Sequence, residues 1–292
     1  MTGTRWSYQP RKHLALEWAG RELLTYQFRP DAEGKPFVHP LCTSQGVLLT
    51  AYRPWDHPWH RGLWFAWKYL NGVNFWEENA ELEHAGRTVQ IGSEQVTLEP
   101  EGARVSTTLG YVLASGDELV REWRELFISL PRASGDYTLE WTQSFEAQHG
   151  DVSVDRTPVA ADTPWGGYAG LGWRAARSLG DFQLLDSEGR RDDLILGQRA
   201  QWVDLSGVSD GAPGRAAGMT LFDHPDNPRH PTSWHMVRQP GFGYVNASLV
   251  FHEPFTLKQG ERLTLCYCAL IHDGWPDANL LNTEFERFAG QV

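Results

Sequence analysis

Cysteine, long apolar runs and basic clusters are scarce in this sequence, and each scarcity excludes a class of protein. Three cysteines among 292 residues are an odd, sparse set that argues against a disulfide framework or a zinc ribbon. No apolar run approaches the roughly 18 to 20 residues that cross a bilayer. The first residues, MTGTRWSYQPRKH, have no apolar core or small-residue cleavage site, so we expect no signal peptide. Together these features predict a cytoplasmic protein with no membrane partner.

The charge balance is acidic. The formal net charge is −11 and the isoelectric point is about 5.4. Lysines and arginines form no stripe that could follow a phosphate backbone, so nucleic acid is not expected as a partner. A neutral or polyhydroxylated small molecule fits this charge better than a polyanion, and the sequence leaves a homo-oligomer open.

Two common catalytic signatures are also absent from the sequence. It contains no Walker loop and no Rossmann glycine fingerprint after a strand, which argues against nucleotide and hydride-transfer chemistry. The letters GVSDG at 207–211 have the G-x-S-x-G spacing, but no helical pattern follows them. A nucleophile elbow requires such a helix, so serine-hydrolase chemistry is not expected.

Alternation of apolar and polar residues predicts strands along most of the chain. Four successive segments alternate at hairpin spacing: TVQIGSEQVTLEP, ARVSTTLGYVLA, ELVREWRELFISL and DYTLEWTQSFEA. Helical spacing occurs at the end, in residues 276–288, after the start signal Pro276-Asp277. We therefore predict an all-β fold: one domain over residues 1–292, forming a large antiparallel two-sheet sandwich of the galactose-mutarotase-like supersandwich kind, with a short C-terminal helix.

Residues 54–78, PWDHPWHRGLWFAWKYLNGVNFWEE, combine aromatic and titratable side chains more densely than any other stretch. Pro54 and Pro58 lack amide hydrogens, so the first part cannot be a regular helix or a central strand. Aromatic rings with a few convergent polar groups are typical of a concave binding site. The alternative is an aromatic-rich loop that plugs the β-structure and whose histidines are inert. The charged and titratable side chains of the stretch include Asp56, His57, His60, Arg61 and Glu77.

A second proline-rich segment has the same unusual chemistry. Residues 221–238, LFDHPDNPRHPTSWHMVR, contain His224, His230 and His235. Function is often located on loops that a rigid scaffold positions. We expect the two proline-rich loops to meet at one end of the sandwich and to form one site.

Acid–base catalysis is the first chemistry that these residues suggest. The titratable groups best placed by motif are His57, His60, Glu77, His235 and Glu253. The ordinary histidine pKa near 6.5 suits proton transfer at neutral pH, and aromatic walls would shift it by excluding water. A glycosidase-like pair of carboxylates, Glu77 and Glu253, is an alternative.

Binding groups are suggested by residue type. Arg61 and Arg174 are candidate clamps for a carboxylate or for vicinal hydroxyls, because a guanidinium offers a planar fork of donors. An arginine that only ties two loops together is the alternative for each. Trp64, Trp76 and Trp234 are candidate platforms for the C–H face of a sugar ring.

A divalent metal ion is an alternative at the first loop. His57 and His60 have an i, i+3 spacing that can place two imidazoles on one ion. On a loop this spacing is permissive, whereas on a helix it would be diagnostic. No other cofactor is predicted.

Five motifs stand out along the chain: DHPWHRGLWFAW, NGVNFWEE, GGYAGLGWR, DHPDNPRHPTSWHMVR and CALIHDG. Together they resemble the bacterial PmoA-like family, whose members are of unknown function and are commonly labelled methane oxygenase PmoA. The resemblance covers nearly the whole chain and implies a soluble β-sandwich associated with sugar catabolism. The positions that match the family motifs are Asp56, His57, His60, Arg61, Glu77, Tyr168, Arg174, His224, Asn227, His230, Trp234 and His272.

The oxygenase label conflicts with the sequence. A methane monooxygenase subunit is an integral membrane protein, whereas this acidic chain contains no spanning segment. Trp59 also stands where relatives often have a histidine, which argues against a three-histidine cluster in this loop.

Three functional hypotheses follow. The first is an enzyme of carbohydrate catabolism, a lyase, hydrolase or epimerase that acts on a sugar or an oxidised sugar. The second is a non-catalytic carbohydrate-binding protein. The third is a metal-dependent oxygenase, as the family label suggests.

Overall fold

The computed structural model describes residues 3–28, 34–77, 85–210 and 215–290. Within these ranges the chain forms twenty strands, a short 3-10 turn at Asp192–Ile195 and one α-helix, α1, at Ala278–Ala289. The first ten strands are β1 (Thr4–Gln9), β2 (His13–Trp18), β3 (Arg21–Gln27), β4 (Phe37–Leu41), β5 (Leu63–Ala66), β6 (Tyr69–Leu70), β7 (Val73–Asn74), β8 (Arg87–Glu99), β9 (Gly102–Val112) and β10 (Glu118–Ser129). The other ten are β11 (Tyr137–Ala147), β12 (Val152–Asp155), β13 (Gly170–Arg174), β14 (Leu179–Asp186), β15 (Trp202–Ser209), β16 (Ala216–Asp223), β17 (Ser233–Gln239), β18 (Phe242–Ser248), β19 (Phe255–Leu257) and β20 (Arg262–Asp273).

Two large antiparallel sheets stack face to face in the described part of the chain. The first sheet has the strand order β1-β2-β3-β4-β5-β13-β18-β17, and the second has the order β14-β15-β16-β20-β11-β10-β9-β8. A smaller sheet has the order β19-β12-β6-β7. One apolar core contains side chains of both large sheets, and the rings of Phe65 on β5 and Phe145 on β11 lie 5.4 Å apart within it. The predicted antiparallel two-sheet sandwich is therefore confirmed.

The outer face of the first sheet is also apolar. Successive side chains of a strand point to opposite faces, so Leu63 and Phe65 of β5 enter the core while Trp64 points outward. Trp64 forms a separate buried cluster there with Phe37 of β4 and Tyr244 of β18. Loops must cover such a face to keep it from water, and these loops carry the candidate site residues.

Helix α1 covers the outer face of the second sheet. The Asp277 side chain caps its first turn by accepting a hydrogen bond from the Leu280 amide at 2.9 Å. The contact buries Leu281, Phe285 and Phe288 of the helix and Trp202, Phe222, Cys268 and Leu270 of the sheet. The predicted C-terminal helix is confirmed, although Leu280 faces solvent. No helix within the described ranges has the length and apolarity to cross a membrane.

Gly62 fixes the first proline-rich loop to the first sheet. Its φ is +74°, a left-handed conformation, and a Cβ at this position would lie 2.4 Å from the Val38 carbonyl oxygen. Its amide donates to the Ala51 carbonyl, and its carbonyl accepts from the Arg174 amide at 2.8 Å. Only glycine combines this φ with so close an approach of the backbone.

We expect Gly62→Ala to lower the free energy of unfolding by about 2 kcal/mol more than Gly72→Ala, because it adds a clash to a similar backbone strain. Gly72 is the matched control, since its φ is +78° and a Cβ added there would meet no atom within 4 Å. Urea denaturation of both variants checks this difference. Equal losses of stability would contradict the role given to Gly62.

Candidate functional site

A cavity of about 340 Å³ opens on the outer face of the first sheet. Strands β17 and β18 contribute to its lining, together with the loops that follow β4, β7 and β12. The lining side chains are His57, Trp59, His60, Trp76, Glu77, Trp165, Tyr168, His235, Val237, Phe242 and Tyr244. The site therefore lies on a face of the sandwich, and the expectation of a site at one end is wrong.

Asp56 holds the first proline-rich loop in place. One carboxylate oxygen accepts a hydrogen bond from Arg174 at 2.9 Å, and the other lies 2.9 Å from Arg177. Burial alone would raise the pKa of Asp56, but the hydrogen bond and charge of Arg174 outweigh it and lower the pKa well below its usual range. Asp56 is therefore a carboxylate, and Arg174 is a clamp for the loop.

His57 lies between this carboxylate and the cavity. Its Nδ1 is 3.6 Å from Asp56 Oδ2, and its ring is half-buried beside Phe242 at a centroid distance of 4.9 Å. Burial lowers the pKa of His57, the nearby Asp56 charge opposes this effect, and Arg174 adds to it. The ring is thus neutral at neutral pH and has an anion beside it that favours protonation.

His60 is packed more tightly than His57. It is 4% exposed, stacks on Tyr244 at 5.2 Å, and contacts Trp64 at 5.0 Å. Burial lowers the pKa of His60 well below its ordinary value, and the charges of His57 and Arg174 lower it further. His60 is therefore neutral, and its Nδ1 is buried without a hydrogen-bond partner among the described residues.

His235 reaches the cavity from β17. Its Nε2 donates to the Trp165 carbonyl oxygen at 3.1 Å, which leaves Nδ1 as the unprotonated acceptor of the neutral ring. Burial lowers the pKa of His235 to about 4. Nδ1 is buried without a hydrogen-bond partner among the described residues.

Glu77 supplies a carboxylate to the cavity. Its Oε1 lies 2.5 Å from the Lys68 ammonium, whereas its Oε2 is buried without a hydrogen-bond partner among the described residues. The ammonium is also 5.2 Å from the ring centre of Tyr168. The Asn74 side chain accepts hydrogen bonds from the Trp76 and Glu77 amides and thereby fixes the turn that presents them.

The glycine-rich segment that carries Tyr168 is docked onto β18. The Asn246 amide accepts a hydrogen bond from the Ala169 amide and donates to the Leu171 carbonyl, each at 3.0 Å. A Cβ on Gly172 would lie 2.6 Å from the Tyr244 hydroxyl, so only glycine admits this close approach. Burial and then the Glu77 charge raise the pKa of Tyr168. Its hydroxyl stays protonated as a hydrogen-bond donor.

Residues 13–286 match the model of a family of unknown function, DUF6807. The chain belongs to this family. No curated protein matches the DUF6807 chain. The family description carries no oxygenase label, so the PmoA-like identity stays a prediction.

Solved structures that resemble this DUF6807 chain have low sequence identity. The Slr1438 protein from Synechocystis sp. PCC 6803 is 12% identical, with 92% of each chain covered and a TM-score of 0.38. A putative aldose 1-epimerase from Escherichia coli K12 is 12% identical, with a TM-score of 0.34. The match covers 94% of the DUF6807 chain and 100% of the epimerase chain. Likenesses this distant support no argument about function, and the mutarotase-like subtype stays a prediction.

Three predicted residues of the second proline-rich loop lie away from the cavity. Asp223 binds the Asn227 side chain at 2.8 Å and His230 Nδ1 at 2.8 Å. His224 packs edge-on against Phe288 of helix α1 at 5.0 Å. The loop follows β16 and stays with the second sheet, so the prediction that both loops converge is wrong for His224, Asn227 and His230. His235 reaches the cavity because it lies beyond the loop, on β17.

Two predicted tryptophan platforms are covered by protein. Trp234 points into the core, where its indole nitrogen donates to the Ala200 carbonyl at 2.9 Å. Trp64 is fully buried beneath the cavity lining. Trp76 does line the cavity, whereas the residues that sequence reasoning missed are Trp59, Trp165, Val237, Phe242, Tyr244 and Lys68.

Four further predicted residues have other positions. His272 lies in the second sheet, 2.9 Å from Asp204, whose charge outweighs burial and raises the pKa of His272. Glu253 is 69% exposed beside Arg229, so it forms no carboxylate pair with Glu77. Arg61 and Arg174 are buried and outside the lining, with Arg61 at 5.9 Å from the Phe37 ring. Their predicted role as clamps on a ligand stays a prediction.

A metal ion would have too few ligands from the described side chains at this site. His57 and His60 supply two imidazoles, whose ring centres are 4.7 Å apart. No group of three histidine, cysteine, aspartate or glutamate side chains within the described ranges could hold a metal. These residues do not fit the metal centre that an oxygenase would need.

His235 should make stability depend on pH. The pKa of His235 is about 4 in the folded chain, against an ordinary value of 6.5. Between these two pH values the unfolded chain binds a proton at His235 and the folded chain does not. The free energy of unfolding therefore falls as the pH drops from 6.5 towards 4. Near pH 5 the wild-type chain should therefore take up about one proton at His235 when it unfolds, and we expect His235→Gln to remove this uptake. Urea denaturation across this range measures the slope, and exposed His149, changed to Gln, is the control. Equal slopes in both variants would contradict the burial assigned to His235.

Proposed function

We propose that the chain is an acid–base enzyme that holds a sugar or an oxidised sugar in the aromatic cavity. The observation that carries the proposal is the lining, where the imidazoles of three histidines and the Glu77 carboxylate lie among aromatic rings. A cavity with apolar walls and few polar groups is the usual form of a small-molecule site. The supported class is a lyase, hydrolase or epimerase reaction that moves a proton.

Two buried acceptors of the lining favour a ligand that donates hydrogen bonds. Glu77 Oε2 and His235 Nδ1 are acceptors with no partner in the described part of the chain. Leaving such buried acceptors unsatisfied costs about 1–3 kcal/mol each. Sugar hydroxyls would satisfy them, while Trp165 and Tyr168 of the lining offer flat apolar faces to the C–H groups of the ring.

His57 is the best-placed base. Its ring is neutral near pH 7 because burial lowers its pKa, and its Nδ1 faces Asp56, which leaves Nε2 for the substrate. The proton would move from a substrate carbon or hydroxyl to Nε2, and the bonding electrons would stay on the substrate. Asp56 would stabilise the imidazolium that forms.

The other residues have supporting roles in this proposal. Glu77 Oε2 accepts a hydrogen bond from a substrate hydroxyl, while Glu77 Oε1 is bound to the Lys68 ammonium. His235 and His60 bind as neutral groups, and Arg174 acts through Asp56. A PmoA-like identity, a cytoplasmic location and a single domain over residues 1–292 belong to the same proposal and rest on sequence alone.

A non-catalytic carbohydrate-binding protein is the second candidate. It is favoured by the Lys68–Glu77 ion pair, which occupies one oxygen of the only carboxylate among the described lining residues. It is also favoured by the deep burial of His60 and His235. A binding protein would bind sugars in the same cavity and release them unchanged.

We expect His57→Gln to lower turnover by about 10²–10⁴-fold, the usual contribution of one acid–base group, while sugar affinity changes little. His57 is half-buried, so the free energy of unfolding should change by less than about 1 kcal/mol. His149→Gln, at an exposed site, is the control. His60→Ala is a poorer test, because it would remove a buried ring.

The measurement is NMR of free sugars, glycosides and sugar acids incubated with the wild type and each variant. Product that disappears in His57→Gln supports the enzyme. Binding without product over hours supports the second candidate, and the absence of binding by any of these compounds rejects both.

A further inference from the structure

Trp55 is unusually exposed for its residue type. Its relative exposure is 84%, the highest of any large apolar side chain in the described ranges. An exposed indole lacks the stabilising free energy of burial, which normally favours tryptophan in the protein interior. Exposed aromatic surface of this kind often marks a binding site.

The indole is held by charged neighbours. The Arg177 guanidinium lies 5.5 Å from its ring centre, and Arg177 is itself bound to Asp56 at 2.9 Å. Asp56 is in turn fixed by fully buried Arg174. Arg177 therefore links the Trp55 indole to the clamp that positions His57.

Trp55 lies close to the cavity mouth. It precedes His57 by two residues, so their Cα atoms are at most about 7.6 Å apart. Trp165, which lines the cavity, is 50% exposed. Exposed tryptophans thus lie both in the cavity lining and at the start of the 54–60 loop.

We infer that Trp55 and Arg177 form an outer subsite for a second sugar unit, so that the ligand is a glycoside or oligosaccharide of at least two rings. The inference rests on the proposed function, because it continues the same site. The first ring would occupy the cavity beside His57, and the second would stack on the Trp55 indole. Arg177, which is 42% exposed, would donate hydrogen bonds to its hydroxyls.

The test compares matched monosaccharides and disaccharides: glucose with cellobiose and maltose, and xylose with xylobiose. Affinities are measured by titration calorimetry for the wild type and for Trp55→Ala. Trp275→Ala is the matched control, because Trp275 is also exposed, at 46%, but lies just before helix α1. We expect a disaccharide to bind more tightly than its monosaccharide, and Trp55→Ala to weaken the disaccharide alone by about tenfold.

Each outcome separates this inference from the proposed function. Monosaccharide binding with no gain for any disaccharide, or equal affinities in Trp55→Ala and Trp275→Ala, overturns the subsite and leaves the cavity proposal intact. No binding of any sugar to the wild type overturns both. A wild-type oligomer that dissociates in Trp55→Ala shows that a second copy of the chain covers the indole, which also overturns the subsite.

Discussion

The ion pair of Asp56 with Arg174 is the contact on which the candidate site depends. Arg174 ends β13 on the outer face of the first sheet, and Asp56 belongs to a loop with no regular structure. Prolines leave that loop few ladder hydrogen bonds, so the buried Arg174 guanidinium adds a side-chain anchor to the backbone hydrogen bonds around Gly62. From it follow the position of His57, the packing of His60 and the exposure of Trp55.

Removal of water determines the chemistry that this loop can perform. Burial is the largest influence on the pKa of His57, His60 and His235, and it lowers all three. Three imidazoles in one cavity are therefore mainly neutral acceptors near pH 7. Asp56 is the largest influence after burial on the pKa of His57, where its carboxylate partly offsets the cost of a proton, whereas at His60 the lowering effects of His57 and Arg174 come before it. Position beside an anion, more than residue type, selects the base.

Much of the fold and part of the site could be predicted from local pattern. The alternation of apolar and polar residues predicted the strands. The stretch at 54–78, which is dense in aromatic and titratable residues, predicted four residues of the cavity lining: His57, His60, Trp76 and Glu77. Lys68 was missed because one lysine among aromatic residues carries no motif. Phe242 and Tyr244 were missed because their alternation on β18 identifies a strand face without showing what covers it.

The sequence by itself determined which segments become strands and which loops carry unusual chemistry, because these depend on residues near one another in the chain. Only the tertiary structure decided which loops share a site. β16 and β17 are neighbours in sequence but belong to different sheets, so the connection between them leaves His224 and His230 beside helix α1 and brings His235 into the cavity. Strand order is set by packing between distant segments, and no local pattern records it.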